Sequence, residues 1–137
     1  MENKNSILLD YYDGAYGPTI RIDVQSIETL VRIKNLFLQL AESRGYPVNL
    51  AEIDNVKAIR LNQLILSWVP DDQHAKKKLT LASNSMTGAV FEWTMSSDSW
   101  KRAAGLVDGL LERGSSGHQY LTQEGVDDAI VELAFME

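Results

Sequence analysis

The spacing of apolar residues along the chain predicts two amphipathic helices. After Ser26, apolar residues recur every three or four positions as far as Arg44, and the same spacing runs from Ser96 to Gly114. Serine accepts hydrogen bonds from the free amides of a first helical turn, and glycine readily adopts the left-handed conformation that ends a helix. We therefore expect one helix between Ser26 and Gly45 and another between Ser96 and Gly114.

Most of the remaining chain alternates between apolar and polar residues, which is typical of strands with one buried face. Two such segments precede the first helix, three or four lie between the helices, and two follow the second helix. The expected segments are 6–12, 19–24, 58–60, 63–69, 79–83, 89–95, 119–121 and 129–135. The order ββα-βββ(β)-α-ββ predicts an α+β fold in which two helices pack on an antiparallel-rich sheet. At this length we expect a single compact domain that spans 1–137.

Tryptophans and helix glycines lead to two predictions about packing. Trp68, Trp93 and Trp100 fall on apolar faces, so we expect all three in the core. Gly105 and Gly109 lie inside the second helix, where each costs about 1 kcal/mol relative to alanine. We expect them to let the helix lie close to a sheet. The alternative is that this helix face forms a dimer, which would make the protein a homo-oligomeric assembly subunit.

Charge and composition exclude several classes of function. The chain has 13 Lys and Arg against 19 Asp and Glu, giving a net charge of -6. Binding to a phosphate backbone depends on Lys and Arg, so we expect no nucleic-acid partner, whereas a basic protein partner suits the charge. The absence of cysteine excludes disulfides, thiolate metal sites and thiol nucleophiles. We find neither a signal-peptide core nor an apolar run of about 18 residues, so we expect a cytoplasmic protein with no membrane partner.

Candidate catalytic residues are few. The chain has no glycine-rich phosphate motif, and its only histidines are His74 and His118. We therefore expect no enzymatic activity, no catalytic residues, no bound metal and no cofactor. The alternative is a small metal-dependent enzyme that uses His118 with Asp127 and Asp128, because an imidazole and two carboxylates can hold a metal ion.

The first predicted hairpin carries a candidate surface for a protein partner. It combines three tyrosines with two aspartates, namely Asp10, Tyr11, Tyr12, Asp13 and Tyr16. Aromatic anchors provide much of the energy of protein interfaces, and carboxylates suit a basic partner. Asp71 and Asp72, which follow a predicted strand, form a second candidate. The alternative is that Tyr11 or Tyr12 alternates into the core.

One segment near the carboxyl end resembles a known group of proteins. Its residues are Gly117-His118-Gln119-Tyr120-Leu121, followed after an acidic loop by Ile130-Val131-Glu132-Leu133 and by Glu137. This segment resembles the carboxyl-terminal part of small bacterial immunity proteins of contact-dependent-inhibition and other polymorphic-toxin systems. The resemblance covers residues 117–137 and implies a non-enzymatic protein that binds a cognate toxin domain, often a basic nuclease. It identifies no inhibitory residues.

Overall fold

The computed structural model describes residues 5–42, 47–70, 78–122 and 126–137. They form an α+β fold, as predicted, and the order of elements is close to the expected one. The α-helices are α1 (Ile27–Ala41) and α2 (Ser97–Arg113), and a short 3-10 helix spans Leu50–Glu52. The strands are β1 (Ile7–Gly14), β2 (Gly17–Val24), β3 (Val48–Asn49), β4 (Val56–Ile59), β5 (Leu61–Trp68), β6 (Leu79–Ser85), β7 (Gly88–Met95), β8 (Gly117–Tyr120) and β9 (Ile130–Phe135).

Both helices begin at the serine that the sequence predicts. Ser26 Oγ accepts a hydrogen bond from the amide three residues ahead at 3.2 Å, and Ser96 Oγ does the same at 3.5 Å. Gly114 has a φ of 66° and ends α2 in the expected left-handed cap. The predicted end of α1 at Gly45 lies outside the described residues. Within the described ranges no helix is long and apolar enough to cross a membrane.

The strands form two sheets rather than one. The five-stranded sheet has the order β4-β1-β2-β9-β8, and the four-stranded sheet has the order β3-β5-β7-β6. Strands β1 and β4, β2 and β9, and β5 and β7 pair in parallel, and the other four pairs are antiparallel. Alternation of apolar residues indicates which face of a strand is buried, but not which strand lies beside it. The division into two sheets therefore emerges only from the structure.

Aromatic side chains connect the two sheets and both helices in one core. Tyr11 of the five-stranded sheet meets Phe91 of the four-stranded sheet edge to face, with ring centroids 5.0 Å apart. Phe37 of α1, Trp93 of β7 and Trp100 of α2 form a second cluster with centroids 5.0 to 5.7 Å apart. Each such pair adds about 0.5–1.5 kcal/mol to the effect of burial. The predicted burial of Trp93 and Trp100 is confirmed.

Two packing predictions are wrong. Trp68 is 38% exposed, because it occupies the last position of β5 and its indole N–H donates to Ser97 Oγ at 3.0 Å. Gly105 and Gly109 face solvent, and apart from the helix backbone no described atom lies within 4 Å of where a Cβ would stand. The reason is that α2 buries its opposite stripe, which comprises Ser99, Trp100, Ala103, Ala104, Val107 and Leu110.

Candidate functional site

The solvent-facing side of the five-stranded sheet, called the outer face below, is the candidate functional site. Its register places Asp10, Arg21, Glu132 and Tyr120 opposite one another on β1, β2, β9 and β8. Residues paired across strands leave the same face of a sheet, and Tyr12 joins them because it follows Asp10 by two positions. The alternate positions of β1, β2 and β9 include core residues, namely Leu9, Ile20, Ile22, Val131 and Leu133. Strand pairing thus brings residues from both ends of the chain onto one surface.

Alternation divides the tyrosines of the predicted hairpin patch between the two faces of the sheet. Tyr12 lies on the outer face, and Tyr16 projects from the turn after β1 with 67% of its surface exposed. Asp13 is exposed near the end of β1. Tyr11 points the other way and packs against Phe91. Tyr11 is therefore the tyrosine that packs toward the core, as the alternative has it, and it is only partly buried there.

Asp10 already has an ionic partner within the protein. Arg60 donates from Nη2 to Asp10 Oδ1 at 2.8 Å and from Nε to the Tyr11 carbonyl at 2.8 Å. A carboxylate that is engaged in this way attracts a cation from another protein less strongly, so Asp10 is a poorer contact than the sequence indicates. The other predicted aspartates, Asp71 and Asp72, lie outside the described residues.

Three carboxylates surround one guanidinium on the outer face. Arg21 lies 3.8 Å from Asp23, 3.8 Å from Glu132 and 3.9 Å from Glu137. Glu137 Oε2 also lies 3.0 Å from His118 Nδ1. The three acidic side chains keep 12 to 30% of their exposure, so a cationic group of another protein can reach them. The three carboxylates of Asp23, Glu132 and Glu137, called the acidic cluster below, carry more negative charge than the one guanidinium of Arg21 offsets.

Tyr120 lies beside the acidic cluster. It is 46% exposed, and its ring meets the ring of His118 edge to face with centroids 5.4 Å apart. Partial desolvation raises the pKa of Tyr120, and neighbouring carboxylates and tyrosine hydroxyls raise it further. The groups responsible are Glu132, Tyr16, Tyr12 and Glu137. Tyr120 also lines one pocket with Tyr16 and is the cross-strand partner of Glu132.

A pocket of about 320 Å³ opens between the tip of the first hairpin and the end of β8, and it is lined by Tyr16, Tyr120, Thr122 and Ile130. The Thr122 hydroxyl donates to the Ala129 carbonyl at 3.1 Å and accepts from the Val131 amide at 2.8 Å, which fixes that wall. Ile130 is 8% exposed and provides an apolar floor. We call this the Tyr16–Tyr120 pocket.

A second cleft, of about 600 Å³, lies between the end of β1 and the β6–β7 turn. Tyr12 and Asp13 of the predicted patch line it, together with Tyr11, Arg60, Asn84, Ser85, Met86, Thr87 and Gly88. Met86 at its rim is fully exposed. This cleft lacks the carboxylate cluster that distinguishes the outer face, so it is the weaker candidate for a basic partner.

The described residues hold one group with the spacing of metal ligands, and it differs from the predicted set. The ligand atoms of His118, Glu132 and Glu137 all lie within 4.8 Å of one another in the described part of the chain. Imidazole and carboxylate are suitable ligands for zinc. However, Arg21 lies within 3.9 Å of both carboxylates and already supplies the positive charge that a metal ion would bring. The arrangement therefore favours an ion-pair network over a metal centre.

Asp127 and Asp128 bind backbone amides. Asp127 Oδ1 accepts hydrogen bonds from the amides of Lys78 at 2.8 Å and Leu79 at 3.0 Å, and Asp128 Oδ2 accepts one from Leu81 at 2.8 Å. These bonds satisfy amides at the start of β6 and at the residue before it. They connect β6, an edge strand of the four-stranded sheet, to the segment before β9 of the other sheet. The predicted set of these aspartates with His118 is not assembled among the described residues.

The roles of Arg21, Glu132 and Glu137 are not apparent from the sequence. Alternation places Arg21 and Glu132 on the polar faces of their strands, but nothing in it shows that β2 and β9 are neighbours. The parallel pairing aligns Arg21 with Glu132 directly. The sequence shows only that an arginine and an acidic residue occupy outward positions on separate strands. It does not show that they are neighbours, which becomes clear once the pairing of the strands is known.

Comparisons of the chain with protein-family models, with curated proteins and with solved structures find no match. The outer face and the resemblance of residues 117–137 therefore carry the indications of its function.

Proposed function

We propose that this protein is a non-enzymatic cytoplasmic inhibitor that neutralises a basic toxin domain by binding it through the outer face. One observation carries the proposal: exposed tyrosines and a cluster of carboxylates share one solvent-facing sheet surface. Tyr120 is the cross-strand partner of Glu132 and lines one pocket with Tyr16, and Asp23, Glu132 and Glu137 surround Arg21 on the same surface. Tyrosines are enriched in the centres of protein interfaces, where their rings provide large contact areas at low entropic cost.

The residues that carry the resemblance to immunity proteins are part of this surface. His118 and Tyr120 come from β8, Glu132 comes from β9, and Glu137 lies just after β9. The segment from 117 to 137 thus contributes an aromatic ring, an imidazole and two carboxylates to the outer face. This coincidence supports an inhibitor of the immunity type over a binding protein of another kind.

Charge supports a basic partner. The chain carries a net charge of -6, and the acidic cluster concentrates negative charge beside exposed aromatic rings. Complementary charge accelerates association and rejects wrong partners, and its effect falls as salt screens it. We therefore expect fast association at low ionic strength and release of the partner by high salt.

The test is a pull-down from a lysate of the source cells, followed by an activity assay of the captured domain. The bait is compared with two charge reversals, Glu137→Lys on the outer face and Glu112→Lys on the exposed side of α2. We expect the wild type and Glu112→Lys to capture one basic domain in stoichiometric amount and to inhibit it, and Glu137→Lys to lose it.

Three results would overturn the proposal. These are the absence of any captured basic domain, equal capture by both charge reversals, and capture of a domain whose activity is unchanged in the complex.

A further inference from the structure

We propose that the Tyr16–Tyr120 pocket is an anchor pocket for an arginine side chain of the partner. The inference rests on the proposed function and names the chemical group that the outer face recognises. The pocket, its carboxylate surroundings and its fixed walls each support this occupant.

The aromatic walls suit a planar cation. Tyr16 is 67% and Tyr120 is 46% exposed, so both rings are available to a ligand in the free protein. Aromatic faces attract cations through the ring quadrupole. A guanidinium is planar and weakly hydrated, and it stacks on aromatic rings more readily than an ammonium does. The volume of about 320 Å³ is ample for one arginine side chain.

Carboxylates adjoin the pocket on the Tyr120 side. Glu132 is the cross-strand partner of Tyr120, so their side chains leave the sheet side by side. Glu137 also lies on the Tyr120 side of the pocket, because the His118 ring contacts both Glu137 and Tyr120. Among the described residues these three acids have one guanidinium beside them, that of Arg21, so a second guanidinium would be attracted rather than repelled.

The pocket is formed before any partner arrives. Thr122 is held by two hydrogen bonds to backbone groups, and Tyr120 is supported by His118. Fixed walls reduce the entropy lost on binding. An apolar side chain would gain the Ile130 floor but would remove water from nearby carboxylates without replacing their hydrogen bonds, which is costly. An arginine would itself hydrogen-bond the carboxylates in place of the displaced water. For this reason we infer an arginine and not an apolar side chain as the occupant.

The experiment is an NMR titration of the ¹⁵N-labelled full chain with glycyl-arginyl-glycine amide. The control probe is the same peptide with citrulline, which has nearly the same shape but no charge. We expect saturable shifts confined to Tyr16, Tyr120, Thr122, Ile130 and their neighbours, with a dissociation constant on the order of 10 mM for the arginine peptide. The citrulline peptide should give no saturable change.

Two variants assign the effect to the pocket. Tyr16→Ala combined with Tyr120→Ala should abolish the saturable shifts, whereas Leu38→Ala, which truncates an exposed apolar side chain of α1, should leave them unchanged. Spectra of both variants first establish that they are folded. Tyr16→Phe, which keeps the ring, should retain binding and shows whether the ring or the hydroxyl is needed.

The inference would be overturned by equal binding of both peptides, by saturable shifts that lie elsewhere, or by no saturable shift with either peptide. The titration needs no natural partner, so its outcome is separate from that of the pull-down. A basic domain captured equally well by the wild type and the double tyrosine variant would refute the anchor pocket and leave the inhibitor proposal standing.

Discussion

Replacement of Gly105 and Gly109 by alanine should stabilise the protein. Both glycines lie inside α2 and face solvent, and no described atom outside the helix backbone comes within 4 Å of the Cβ that alanine would add. A glycine in a helix interior costs about 1 kcal/mol relative to alanine, because more backbone freedom is lost on folding. Neither position gains a clash, so the double variant should raise the free energy of unfolding by about 2 kcal/mol.

Urea unfolding followed by tryptophan fluorescence measures this change, because Trp93 and Trp100 are buried and will report the transition. In thermal unfolding the same gain should raise Tm by about 5–10 °C for a chain of this size. Gly114→Ala is the matched control. It makes the same chemical change at a φ of 66°, where a Cβ is strained, and it should lower stability by about 1 kcal/mol.

The double variant also tests the hypothesis of an assembly subunit. If the glycine face of α2 formed a dimer, added methyl groups would separate the helices, lower stability and reduce the mass measured by light scattering. Two results would refute the reasoning that this helix face is exposed and uncontacted. One is a double variant that is less stable than the wild type, and the other is a double variant whose mass falls while that of Gly114→Ala does not.

Three further predictions concern the edge strand, the core tyrosine and metal ions. Asp127→Ala should lower the free energy of unfolding in urea by about 2–4 kcal/mol, because the amides of Lys78 and Leu79 lose their acceptor. An equal loss in Asp127→Asn would contradict this account. Burial and then two nearby carboxylates raise the pKa of Tyr11, so its contribution to stability is present below the unfolded pKa of about 10 and is lost as pH rises through the folded value. As pH rises into the alkaline range, the free energy of unfolding of Tyr11→Phe should therefore fall less than that of the wild type. An equal fall in both proteins would count against this explanation. Zinc should leave Tm unchanged because Arg21 occupies the cluster, whereas a rise that His118→Ala removes would favour the metal-dependent alternative.

Local signals in the sequence predict the elements well because their causes are local. Ser26 and Ser96 cap helices through hydrogen bonds to amides three residues away, and Gly114 ends α2 through its own backbone angle. Trp68 shows the limit of such signals. Its apolar character and its strand position resemble those of Trp93, yet whether a strand end is covered depends on what packs over it.

The candidate site depends on contacts that no local pattern contains. Tyr11 and Tyr12 are adjacent residues of the same type, so the sequence does not distinguish them. Only the register of β1 in its sheet decides that Tyr11 packs on Phe91 while Tyr12 lies on the outer face. Asp127 and Asp128 look like a solvated or metal-binding pair in the sequence. In the structure they accept hydrogen bonds from the amides of Lys78, Leu79 and Leu81, at the start of an edge strand of the other sheet.

The pairing of β2 with β9 relates the stability of the outer face to its proposed function. Clustered carboxylates repel one another and oppose folding, and Arg21 offsets that repulsion because the parallel register places it beside Glu132 and within reach of Glu137. One guanidinium does not neutralise three carboxylates, so an attraction for cations remains at the surface. A second guanidinium from a partner would offset part of the repulsion that remains, so we expect complex formation to stabilise this protein at the outer face.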